Sequence, residues 1–62
     1  MKRGELIREL VAAGCVLHRH GGKHDIYLNP ANGLKQPVPR HTEIDDRLAK
    51  HIKKYLGLTA NN

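Results

Sequence analysis

The chain has no tryptophan, no phenylalanine and only two tyrosines. Its core must therefore be aliphatic, built from Leu, Ile, Val and Ala. A chain of 62 residues buries only about 60% of the surface that its unfolded form exposes, so stability is marginal and a partner is a natural source of more. Such a chain cannot wall off a large hydrophobic ligand pocket. The single cysteine, Cys15, excludes an internal disulfide and suits a reducing compartment. No apolar run approaches the ~20 residues of a membrane span. The opening "MKRGELIRELVAAG" starts basic, but Glu5, Arg8 and Glu9 interrupt its apolar residues, which predicts no secretory signal. These absences predict a soluble cytoplasmic protein with no membrane association. One domain is expected over 1–62, with an ordered core of about 2–58 and a frayed tail at 59–62.

Acidic residues are also scarce. Eleven Lys and Arg stand against six Asp and Glu, a formal charge of +5. Residues 1–31 carry +2 and residues 32–62 carry +3, so the excess is spread through the domain and is not a detachable tail. Many small domains are this basic for no specific reason. Where the charge is functional it predicts an anionic partner: nucleic acid first, an acidic protein second.

The apolar residues that are present fall into periodic segments. Leu6, Ile7, Leu10 and Val11 form a helical stripe within 3–13, with Glu5 and Glu9 favoured by the helix dipole and Gly14 placed as a C-terminal left-handed residue. "CVLHR" (15–19) and "HDIYL" (24–28) read as strands. They are joined by "HGGK", whose Gly-Gly is a turn signal that supplies positive φ. "NPANG" (29–33) is a second turn, and "LKQPV" (34–38) reads as a third strand. Pro37 and Pro39 cannot donate to a ladder, so that strand belongs at an edge. Thr42 and Asp45 resemble a capping box. Ile44, Leu48, Ile52, Tyr55 and Leu56 then share one helical face, while Lys50, Lys53 and Lys54 lie largely on others and Gly57 ends the helix. The order α-β-β-β-α predicts an α+β two-layer fold, a three-stranded antiparallel sheet with two helices on one face. The other sheet face would be open, and in a basic protein it is a candidate binding surface.

Chemistry concentrates in "HRHGGKHDIYLNP" (18–30). A metal site from His18, His20 and His24, with Cys15 or His41 added, fits no common zinc spacing. Arg19, Lys23 and Arg40 would repel a cation, so no metal and no other cofactor is expected. His18 and His20 read as ordinary polar residues at a strand end. Cys15 reads as a small core residue, and Asp45–Asp46 as acids serving a helix dipole. Histidine beside cations remains, and that is a kit for cutting RNA. Imidazole can take a proton from a 2′-hydroxyl or give one to a leaving oxygen, while Lys and Arg stabilise the developing charge. Gly21-Gly22 is a hairpin turn that can also bring backbone N–H groups close to a phosphate. "VPRHTEI" (38–44) puts Arg40 and His41 ahead of the second helix, either as part of an anion site at its N-terminus or merely as a capped loop.

"AAGCVLHRHGGKH", "DIYLNP", "PVPRHTEI" and the closing "IKKYLGL" together resemble the HicA family of toxin mRNA interferases, over about residues 2–58. The most specific part, Gly22-Lys23-His24-Asp25-Ile26-Tyr27, is similar to the family's Gly-Ser-His-x-x-aromatic segment. Lys23 stands where the family often has Ser or Thr. The resemblance implies a double-stranded-RNA-binding-domain-like fold. It also implies metal-independent endoribonuclease activity on mRNA, and inhibition by a HicB-like antitoxin that covers the active site. The family's catalytic histidine falls on His24. Gly22, Lys23, Arg19, Arg40 and His41 are the accompanying RNA-binding candidates. Two other expectations stay open: a non-catalytic RNA-binding module that recognises RNA by shape, and a small structural subunit stabilised by an acidic partner.

Overall fold

A computed structural model describes residues 1–58; the tail expected at 59–62 lies outside the described residues. Five elements follow in the order α1 (Arg3–Ala12), β1 (Val16–His20), β2 (His24–Asn29), β3 (Leu34–Pro39) and α2 (Asp46–Tyr55). This is the α+β arrangement expected from the hydrophobic periodicity. The sheet is antiparallel, in the order β1-β2-β3. Pro37 and Pro39 sit on β3, an edge strand, where a missing backbone donor costs no ladder bond.

Both helices cover one face of the sheet. Asp25, Tyr27 and Asn29 on β2 point into it, in strict alternation with His24, Ile26 and Leu28. The core comprises Leu6 and Leu10 from α1, Cys15, Tyr27, Val38, Ile44, Ala49 and Ile52, with Leu56 closing it. Apart from Tyr27 and Cys15 it is aliphatic, as the scarcity of large aromatics requires, and Cys15 takes the expected role of a small buried residue. Val11 and Tyr55, expected on core faces, are instead exposed, Tyr55 by 50%. The α1 contribution narrows to Leu6 and Leu10, with Ile7 packed against their margin.

The start of α2 also differs from expectation. Asp45, not Thr42, is its N-cap, and its side chain accepts from Arg47 N and Leu48 N. Asp45 satisfies donors that the first turn leaves open. Ile44 therefore enters the core from the connector before the helix rather than from the helix face. Asp45 occupies the Arg47 and Leu48 N–H groups, which gives this helix end a side-chain cap of its own. Gly57, with φ +80°, follows the α2 cap at Leu56 and provides the anticipated stop. No helix is long and apolar enough to cross a membrane, among the described residues.

Candidate functional site

The tight connection between β1 and β2 is built around a carboxylate that the sequence reading passed over. Asp25 follows His24 on β2 and, by alternation, points inward, where it is only 8% exposed. A buried carboxylate needs charge partners and donors. Arg3 of α1 donates from Nη2 to Asp25 Oδ2 at 2.7 Å. Arg40, just beyond β3, donates from Nε to Oδ1 at 3.0 Å. His20 Nδ1 lies 2.7 Å from the same oxygen. An ionised carboxylate only accepts, so His20 Nδ1 carries a proton and donates to it. Hydrogen bonds from Arg40 first, then from His20, hold the Asp25 carboxyl down at about 2.

Arg40 extends this anchor into the turn. Its Nη2 donates to Gly21 O at 2.8 Å and its Nη1 to Gly22 O at 3.0 Å, with a longer contact from Nη2 to His24 O at 3.4 Å. The rigid fork of a guanidinium allows one side chain to reach a carboxylate and several carbonyls at once. Gly21 N donates to His24 O at 2.7 Å, closing the turn. A Cβ at Gly21 would lie 3.0 Å from that carbonyl oxygen. Close approach, rather than positive φ, explains this glycine, because positive φ occurs at Gly14, Gly33 and Gly57 and not in the Gly-Gly pair. The Gly21 N–H is consumed within the turn and does not face a ligand.

The structure gathers four of the expected residues. Gly22, Lys23, Arg40 and His41 line one open cleft of about 330 Å³. His24, the first residue of β2, follows cleft residue Lys23 in the chain, with its backbone carbonyl inside the turn network and its side chain exposed. Arg19 is not in the cleft. It pairs with Ile26 across the open sheet face, after an irregularity in β1 between Leu17 and Arg19. That face is mixed rather than basic: Val16, Ile26, Leu28 and Pro37 share it with Arg19, Lys35 and His24 by register. His18 falls in the irregular segment and His20 turns to Asp25. Among the described residues no three His, Cys, Asp or Glu side chains gather as a metal-ligating group.

Asp25 and Arg3 were missed from sequence. The signal was there: an Asp two residues before Tyr27 in an alternating strand must share its inward face. Arg3 gave none, because helix periodicity shows which face a residue lies on but not what sits opposite it.

A small basic α+β fold that clamps a histidine-bearing turn beside a cationic cleft defines a class of compact proteins equipped to handle an anionic polymer. The comparison with protein families makes the class specific. The family described as "HicA toxin of bacterial toxin-antitoxin" matches residues 3–58, and the chain belongs to that toxin family. No curated protein and no solved structure gives a significant match.

Proposed function

We propose that this HicA-family toxin is a metal-independent endoribonuclease acting on mRNA in the cytoplasm, with His24 as its catalytic residue. One observation carries the reading: the exposed His24 leaves a turn whose backbone is fixed by Arg40 and Gly21, directly after Lys23, which lines a cleft with Arg40 and His41. Phosphates of the RNA occupy the cleft, where Lys23 and Arg40 supply positive charge. His24 then serves proton transfer at the scissile linkage. As base it takes the 2′-hydroxyl proton; the 2′-oxygen attacks phosphorus, and the bond to the 5′-oxygen breaks as that oxygen takes a proton from water, the imidazolium returning its own proton to solvent. The nucleophile belongs to the substrate, so the reaction needs no metal-bound water. Lys23 replaces a hydroxyl residue common in the family, exchanging a hydrogen-bonding group for a charge on the phosphate path.

A HicB-like antitoxin is the proposed partner, inhibiting by covering His24. The open sheet face around His24, with exposed Val16 and half-buried Ile26 and Leu28, offers apolar area for such a cover.

The test incubates purified protein with labelled RNA in EDTA. Cleavage that persists in EDTA and disappears in His24→Ala, at equal folded content, is the expected result. Equal cleavage by His24→Ala overturns the assignment. RNA binding without products from the parent protein would replace the nuclease with a binding module.

A further inference from the structure

The outward side of α2 is a second charged surface that the His24 reading does not use. Arg47, Lys50, His51 and Lys54 recur at i, i+3, i+4 and i+7, one continuous helical stripe. They line a shallow groove of about 450 Å³, with Tyr55 at its C-terminal end. The opposite side of the helix is held in the core by Ala49 and Ile52. Among the described residues Arg47 meets only Asp45, at 3.9 Å, and neither Lys50 nor Lys54 is paired with a carboxylate. Lys53, one position off the stripe, is the contrast: it reaches Glu9 of α1 at 2.9 Å. Charges that only decorate a helix are commonly interleaved with acids, but here none lies between residues 47 and 55.

The stripe ends on an aromatic pair. The His51 and Tyr55 rings lie 4.3 Å apart between centroids, tilted by 41°, and Lys54 Nζ lies 5.9 Å from the Tyr55 centroid. Tyr55 is half-exposed although it is one of only two tyrosines in the chain. Exposed π surface beside unpaired cations suits an unstacked base next to its phosphates. An acidic protein surface would satisfy the charges but has no need of the rings.

We propose that the α2 face formed by Arg47, Lys50, His51, Lys54 and Tyr55 is a second RNA-binding surface, holding a single-stranded segment through phosphates and one stacked base. The proposal rests on the ribonuclease reading above. Cβ atoms at these spacings lie about 5–6 Å apart, so successive cations can serve successive phosphates of one strand. The connector 41–45, which begins with cleft residue His41, leads in the chain from that cleft to this helix. The surface adds length to the bound segment without contributing to the chemistry.

The test measures binding of unstructured RNA to His24→Ala protein, which leaves the RNA intact, over a range of salt concentrations. Each phosphate contact on single-stranded RNA adds about 0.7 to the slope of log affinity against log salt. Lys50→Gln with Lys54→Gln should lower that slope by about 1.4 and weaken binding about 25-fold near 0.1 M salt. Tyr55→Ala should weaken binding with the slope unchanged. Lys2→Gln with Arg8→Gln removes the same net charge from the α1 side and should leave the slope nearly intact. Circular dichroism confirms equal folding. If the α2 variants match the parent, or if the α1 control falls equally, the α2 surface is overturned while the His24 reading stands. If the parent binds no RNA at any salt, the ribonuclease reading falls and takes this surface with it.

Discussion

Asp25 and Arg40 are joined by two contacts to one carboxylate oxygen, at 3.0 Å from Nε and 2.9 Å from Nη2. Through this pair a buried acid on β2 governs the loop that precedes it. The same guanidinium reaches the carbonyls of Gly21 and Gly22, so the carboxylate and the turn share one side chain. Arg3 binds the other carboxylate oxygen and also donates from Nε to Pro39 O at 2.8 Å. Asp25 thus ties α1, the end of β3 and the turn together.

Removing the carboxylate leaves two guanidinium groups facing each other without their common counter-ion. Asp25→Ala is expected to lower the melting temperature by several degrees and to speed amide exchange at Gly21 and His24. Asp25→Asn, which keeps one acceptor, should fall between. Thermal melts and hydrogen exchange check this. Unchanged exchange at the turn would show that Arg40 is positioned by something other than Asp25.

The same carboxylate gives a pH dependence with a definite sign. Its folded-state value, about 2, lies below the ordinary aspartate value near 4. The unfolded chain therefore binds the proton more readily. The stabilisation is fully present above about pH 4 and is lost as pH falls toward 2. Asp46, held down by its hydrogen bond to the Met1 amino group, acts in the same direction. Urea midpoints should stay flat from pH 7 to 5 with respect to these groups and decline below 4. The decline should be shallower in Asp25→Asn. An identical acid limb in parent and variant would remove Asp25 from the account.

The architecture was legible in the sequence because its signals are local. Periodicity of 3.6 and of 2, Gly14 and Gly57 as helix stops, and two prolines marking an edge strand all act within a few residues. Boundaries at α2 were not legible, since Thr42 and Asp45 offer competing caps three residues apart and tertiary packing of Ile44 decides between them. The cleft was partly legible: Gly22, Lys23, Arg40 and His41 were named and do meet. Arg19 was named and does not join them, because an irregularity in β1 changes the register at His18. The inward position of Asp25 was legible from its alternation with Tyr27, but its arginine partners were not. Arg3 and Arg40 lie 22 residues before it and 15 after it, and pairings at that separation exist only once the fold has formed.

Gly57 carries a structural demand beyond ending a helix. At φ +80° a Cβ there would lie 2.5 Å from Asn32 Nδ2. Asn32 and the buried Asn29 both donate to Leu56 O, at 3.1 and 2.7 Å, fastening the C-terminus of α2 to the β2–β3 turn. Gly57→Ala imposes about 1–2 kcal/mol of left-handed backbone cost and displaces Asn32 as well. In a domain this small each kcal/mol lowers the melting temperature by about 4–8 °C. A loss of at least that size is expected by calorimetry, and a neutral Gly57→Ala would mean the Asn32 contact is dispensable.

Arg40 and Arg3 offer a paired comparison that separates clamping from stability. Both bind Asp25, but only Arg40 touches the turn that carries His24. Arg40→Lys keeps the charge and loses the fork, so a single ammonium must choose between the carboxylate and the carbonyls. Misplacing His24 by about 1 Å would cost on the order of 10²-fold in turnover. On the proposed ribonuclease reading, Arg40→Lys is therefore expected to lower kcat for RNA cleavage by about that factor while KM shifts less. Arg3→Lys breaks the Pro39 carbonyl contact and weakens the Asp25 anchor without reaching Gly21 or Gly22. It should lower the melting temperature and leave kcat, measured well below that temperature, within a few-fold of the parent. Equal kcat losses in both variants would reduce Arg40 to a stabilising residue; a selective loss in Arg40→Lys assigns it the positioning of His24.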